Sequence, residues 1–165
     1  VYKRQIANCV DEPSAALNLS MSDPSFKCYL MDTGLLISLA FKDRPILEND
    51  LYKQILLDRL QVNEGMLIEN LVSQCLRANG HPSYFYLERN SATRKTTLEI
   101  DFLIRQNKKI VPIEVKSSSS SSIKSLERFK EKYGSRIADG IVLHHGELKR
   151  EGTVVFLPYF MACVL

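Results

Sequence analysis

From Gln61 to His145 the spacing of apolar residues switches between helical and strand periods, in the order helix, three strands, helix, strand. Asn63 is placed to cap the first helix, which the pattern carries to about Asn79, with Gly80 as a left-handed stop. Ile68, Leu71, Val72, Cys75 and Leu76 make one broad apolar face of that helix. At about 100° per residue, Glu69 falls beside Val72 and Leu76 at the edge of the face, which puts an acid at the margin of a core. Tyr84 to Leu87, Leu98 to Arg105 and Ile110 to Lys116 read as strands. A helix from Ile123 to Tyr133, stopped by Gly134, and a strand from Gly140 to His144 complete the series. The serines from Ser117 to Ser122 are too small and polar to pack, so the run predicts a flexible connector, with Ser122 as cap of the helix it precedes.

Upstream the pattern is weaker. Short apolar runs between Ile6 and Leu30 are broken by the turn-rich stretches Asp11 to Ser14 and Ser22 to Ser25, which predicts a hairpin and then a strand over Phe26 to Met31. Asp32 is the expected cap of a short helix over Gly34 to Phe41, and Asp50 to Leu60 has helical spacing through Leu51, Ile55 and Leu56. Residues 6–60 are read as a smaller N-terminal segment, and residues 61–165 as the main domain. Val1 to Gln5 reads as the translation of a transposon adapter end used in sequencing libraries, and is expected to be an artefact with the natural gene beginning upstream.

Composition narrows the class without naming a function. The chain has 165 residues, 45% hydrophobic and 25% charged, which suits an ordinary globular protein. No apolar run approaches the ~18 to 20 residues of a membrane span, and no export signal opens the chain, so a cytoplasmic protein is expected. Cys9, Cys28, Cys75 and Cys163 stand singly, which points to reduced, mostly buried thiols and away from zinc or a disulfide framework. Of the net +3, the stretch from Arg105 to Arg136 holds nine Lys/Arg against three Glu. Lys124, Arg128 and Lys132 follow helical spacing in it, so they are either the nucleic-acid-binding face of a helix or an ordinary solvated one.

Charge inside the apolar strands carries the chemistry. Residues two apart share a strand face, so Glu114 and Lys116 project together while Ile113 and Val115 face the other layer. Glu99 and Asp101 likewise share a face, and a hairpin through Gln106 to Lys109 would bring Asp101 within one pleat of Glu114. Two carboxylates so close repel unless a cation lies between them, and Mg²⁺ or Mn²⁺ suits an all-oxygen site. Lys116 then serves an attacking water or the charge developing on a phosphate, and Glu69 completes the metal shell or orients Lys116. The competing reading is a cross-strand salt bridge on a half-exposed sheet. Two weaker candidates are His144 with His145, read as strand-end histidines, and Tyr84 to Tyr86, read as a strand packed on both faces before base stacking is invoked.

Glu99 to Ile104 followed by Pro112 to Ser118 resembles the second and third motifs of PD-(D/E)XK phosphodiesterases such as archaeal Holliday-junction resolvases, and Glu69 matches their N-terminal helix acid. Phe26 to Leu36, Gly65 to Asn70 and Leu157 to Tyr159 are similar to the domain of unknown function 4143, which follows an AAA-type P-loop ATPase domain in many bacterial and archaeal proteins. The resemblance implies an α/β fold with a restriction-endonuclease-like core, a mixed sheet flanked by helices. It implies catalytic Glu69, Asp101, Glu114 and Lys116, with Asp101, Glu114 and Glu69 on the metal. It also implies DNA as partner, a missing ATPase module upstream, and Ile6 to Asp32 as the tail of a winged-helix-like linker. No GxxxxGK phosphate loop occurs in this chain, so ATP hydrolysis is not expected of it. The alternative function is a catalytically silent module that targets the ATPase to nucleic acid or protein.

Overall fold

The computed structural model describes residues 4–14, 16–21, 24–40, 64–117 and 123–165. The expected helix over Asp50 to Leu60, the Asn63 cap and Ser122 lie outside them. Strand β1 (Arg4–Cys9) and strand β2 (Phe26–Leu30) pair antiparallel, with a 3₁₀ turn at Leu17–Leu19 between them. Helix α1 (Thr33–Ala40) follows, and its Leu35 N–H donates 3.0 Å to Asp32 Oδ1, the cap that the sequence predicts.

Helix α2 (Glu64–Ala78) ends as expected at Gly80, where φ is +85°. His81 N–H donates to Leu76 O and Gly80 N–H to Arg77 O, both at 3.0 Å, a paired closure that needs the left-handed residue between them. Val72 and Leu76 are buried on its core face, but Leu71, counted on that face from sequence, is 46% exposed.

Strands β3 (Tyr84–Arg89), β4 (Thr96–Ile100), β5 (Phe102–Gln106) and β6 (Lys109–Val115) come next. The single strand expected over Leu98 to Arg105 is thus two, divided at Asp101. Its first half pairs with β3 and its second with β6, so the chain leaves one sheet and enters another at that residue. Helix α3 (Lys124–Tyr133) and strand β7 (Gly140–His144) match the expected bounds closely, and Ile123 holds the cap position of α3. Strands β8 (Lys149–Glu151) and β9 (Val154–Pro158) were not anticipated.

The result is a mixed α/β structure with two mixed sheets, one in the order β2-β1-β3-β4 and one in the order β5-β6-β7-β9-β8. β1 lies between β2 and β3 and runs parallel to β3, so residues assigned to the linker segment share a sheet with the main domain. Ile113, Leu143 and Phe102 pack with Val72 and Leu76 of α2 on one side of the second sheet. Ile110, Leu103, Val142 and Phe156 pack with Leu126 and Phe129 of α3 on the other. With both faces covered, β6 is buried almost without interruption from Ile110 to Glu114. Phe102, Phe129 and Phe156 are fully buried, each contributing on the order of 1.5–3 kcal/mol relative to exposure. Tyr84 to Tyr86 is packed on both faces, as expected: Phe85 joins the α2 side, while Tyr86 joins the α3 side edge-on to Phe129 and Tyr133.

The cysteines differ from expectation. All four are free, but Cys9 alone is buried; Cys75 is half-buried, and Cys28 and Cys163 are exposed. Among the described residues no helix is long and apolar enough to cross a membrane.

Candidate functional site

Asp101 occupies the bend between the sheets, and one of its carboxylate oxygens replaces a ladder partner there. Val115 N–H donates to Asp101 Oδ2 at 2.9 Å. Because Phe102 pairs with Ile113, Asp101 comes opposite Glu114, within the one pleat that sequence anticipates. Glu114 is only 2% exposed and points to the α3 side, where it ion-pairs with Lys116. Its Oε1 has no hydrogen-bond partner, which is costly for a buried carboxylate oxygen and asks for a positive or protic neighbour. Asp101, Glu114, Lys116 and Glu99 line one open cavity of about 250 Å³, together with Ser125 of α3.

Glu69 reaches Asp101 from the α2 side through a residue that sequence reasoning missed. Lys27 Nζ lies 2.9 Å from Glu69 Oε1, 2.9 Å from Glu99 Oε1 and 3.5 Å from Asp101 Oδ1. Tyr29, two residues on and on the same strand face, donates its hydroxyl to the same Glu69 oxygen. Glu69 is therefore bound to Lys27 and Tyr29, and no contact joins it to Lys116. The overlooked signal was the strand period itself: Lys27 and Tyr29 share a face of β2 just as Glu114 and Lys116 share one of β6.

Electrostatics follow from this packing. Burial alone would lower the Lys27 ammonium, but Asp101 and Glu69 outweigh it and hold Lys27 protonated well above the usual lysine range. Burial, then Glu69, keeps the Tyr29 hydroxyl protonated. Burial pushes Asp101 up to about 6, with Glu69 and Glu114 adding to the rise against the opposing pull of Lys27 and the Val115 N–H.

The placement of Lys27 depends on a clamp between α2 and β2. Asn70, 1% exposed, accepts from Leu30 N–H at 2.8 Å and donates to Leu30 O at 3.1 Å and to Thr33 Oγ1 at 3.0 Å. Gln74, one turn on, donates to the same Leu30 O and Thr33 Oγ1. A second tie fixes the other end of the site, where the Tyr159 hydroxyl donates to the main-chain carbonyl of Lys116.

The donor set on the α3 side suits a hard divalent ion in kind: two carboxylates, one with an unpartnered oxygen, lining one cavity. Among the described residues, however, no three His, Cys, Asp or Glu side chains gather at metal-holding spacing. Asp101 and Glu114 are the pair that fits; Glu69 is held apart by Lys27.

The expected basic surface is partly consumed by internal contacts. Arg128 donates to Thr97 O at 2.9 Å beside the cavity, and Lys132 ion-pairs with Glu88 at 3.0 Å and donates to the Tyr86 hydroxyl. Lys124 is exposed at the start of α3. His144 turns back to Glu147 O and lines a different, largely apolar cavity with His145 and Phe160.

A family model described as a domain of unknown function, DUF4143, matches residues 64–160. No curated protein and no solved structure matches the chain.

Proposed function

Since the chain belongs to the DUF4143 family, whose description leaves activity open, the site has to carry the functional reading, and we propose a metal-assisted nuclease-like domain that acts on DNA. The single observation behind this is the convergence of Asp101, the buried and half-unpartnered Glu114, and Lys116 on one open cavity. A core with that much desolvated carboxylate is expensive as scaffolding and useful as a site.

In this reading the fold is of the PD-(D/E)XK kind. Asp101 and Glu114 would hold a Mg²⁺ or Mn²⁺ ion, which would lower the pKa of a water and offset phosphate charge. Lys116, drawn to Glu114 and fixed through its own carbonyl by Tyr159, presents its ammonium at the cavity mouth to orient the attacking water and stabilise developing negative charge. Ser125 and Lys124 at the start of α3 contact the DNA backbone, and Arg128 and Lys132 extend that line once their present partners are exchanged. The domain works in the cytoplasm as the C-terminal part of an AAA-type ATPase.

Nicking of supercoiled and branched DNA by the purified chain in Mg²⁺ or Mn²⁺ tests this, beside Asp101→Asn and Lys116→Ala. The reading requires metal-dependent cleavage that both variants lose, with Lys116→Ala still binding the ion. Absence of cleavage by the wild type across these substrates would sink it. The second reading, a non-cutting targeting module of the ATPase, draws on the Lys27 ion pairs, which give Glu69, Glu99 and Asp101 a counter-ion from within the chain, and on the occupied state of Arg128 and Lys132.

A further inference from the structure

Lys27 brings a cation into the acidic cluster from within the chain. Its three N–H donors face three carboxylates, those of Glu69, Glu99 and Asp101, and its ammonium lies 5.3 Å from the centre of the Phe85 ring. The side chain is 21% exposed, and the strand that carries it is pinned at Leu30 by Asn70 and Gln74. Lysine is thus fixed where it stands. One ammonium against three carboxylates nevertheless leaves a formal surplus of two negative charges, and Glu114 Oε1 next to them is buried without a partner.

The contacts are unequal, and that inequality identifies the atom in dispute. Glu69 and Glu99 are held at 2.9 Å, Asp101 Oδ1 at 3.5 Å. Asp101 Oδ2 is committed to Val115 N–H. Oδ1 is therefore the loosely held oxygen, with Lys27 on one side of it and the cavity shared with Glu114 on the other.

We propose that Lys27 is a tethered counter-ion that competes with a divalent cation for Asp101 Oδ1, and so sets how weakly the Asp101 and Glu114 pair binds that cation. The inference rests on Asp101 being a cation-binding carboxylate, as in the function proposed above. It adds a residue from β2 that lowers affinity by occupying the site's own charge. With a divalent ion held by Asp101 and Glu114, Lys27 would give up Oδ1 and keep its grip on Glu69 and Glu99. Without the ion, Lys27 holds all three acids together.

The test is calorimetric titration of the full chain with Mn²⁺ alone, for wild type, Lys27→Met and Lys27→Arg, with thermal unfolding in EDTA and in Mn²⁺ beside it. Lys27→Met is expected to bind Mn²⁺ roughly tenfold tighter or more, since an adjacent charge commonly shifts a carboxylate's cation affinity by a decade or more. It is also expected to melt lower than wild type in EDTA, because three carboxylates lose their counter-ion, and to recover more than wild type when Mn²⁺ is added. Lys27→Arg, which keeps the charge, should bind no more tightly than wild type. Equal or weaker Mn²⁺ binding by Lys27→Met overturns the proposal. So does a Lys27→Met chain that stays unfolded in Mn²⁺, since the ion then cannot take the lysine's place. Tighter binding by Lys27→Met with no DNA cleavage by any form would uphold the counter-ion and remove the nuclease. Cleavage by the wild type with unchanged affinity in Lys27→Met would do the reverse.

Discussion

The Tyr159 hydroxyl donates to the main-chain carbonyl of Lys116, tying the C-terminal 3₁₀ segment (Tyr159–Val164) to the point where β6 ends. Lys116 N–H donates in turn to Leu143 O at 2.9 Å, so the lysine's backbone is held from both sides while its side chain turns to Glu114. Burial, then Glu64, keeps the tyrosine protonated and able to donate. Tyr159→Phe should cost about 1 kcal/mol, the worth of one part-buried hydrogen bond, read as a lower urea midpoint with unchanged slope. In a cleaving enzyme it should lower kcat more than it raises KM, because Lys116 is misplaced without loss of DNA contacts.

Asn70 holds both polar groups of Leu30 and the hydroxyl of Thr33 from within the core. Asn70→Leu should destabilise by roughly 2–4 kcal/mol, since it leaves the Leu30 N–H unpartnered and adds apolar bulk at a polar site. Denaturant unfolding measures this. A loss under about 0.5 kcal/mol would mean that Gln74 and water suffice to hold β2 against α2.

Glu114 separates a site from a scaffold by stability alone. Glu114→Gln keeps the shape and removes a buried charge whose Oε1 has no partner, while Lys116, at 29% side-chain exposure, can turn to water. The variant should be as stable as wild type within about 1 kcal/mol, or more stable. A structural salt bridge in the interior would instead make it fall by roughly 3 kcal/mol or more in thermal or chemical unfolding.

Cys75 Sγ and Cys163 Sγ lie 3.0 Å apart, joining α2 to the C-terminal segment, although no spacing in the sequence pairs them. Burial, then the contact with Cys163, pushes the Cys75 thiol up to about 11. A thiol raised in this way is protonated at neutral pH and reacts as its thiolate only toward alkaline pH. Alkylation of Cys75 in the folded chain should therefore accelerate steadily from pH 7 to 10, while Cys28 reacts at the pace of an exposed thiol. With oxidised glutathione at alkaline pH a 75–163 disulfide should form and vanish in either single serine variant, as read by intact mass and peptide mapping. Equal rates for Cys75 and Cys28 at pH 7 would contradict the protected state.

Much of the architecture can be read without coordinates because it rests on local rules. The helical face of Val72 and Leu76, the left-handed stop at Gly80, the Asp32 cap and the strand from Gly140 to His144 each follow from spacing and turn chemistry within a few residues. Strand phase likewise places Glu114 with Lys116, and Glu99 with Asp101, before any fold is known. β8 and β9 escaped this reading because Val154 to Pro158 is a short apolar run whose strand character comes from pairing with β7, and Lys149–Glu151 is wholly exposed.

What the sequence determined by itself is the set of acids and the lysine, and the faces on which they project. Only the tertiary structure decided how the set divides. Asp101 is the hinge between two sheets, Glu114 and Lys116 lie on the α3 side, and Glu69 is held on the α2 side by Lys27 and Tyr29 from a strand 42 and 40 residues away. The physical reason is range: periodicity fixes the direction of a side chain relative to its own backbone, whereas a counter-ion is chosen by which distant strand the burial of apolar surface brings alongside.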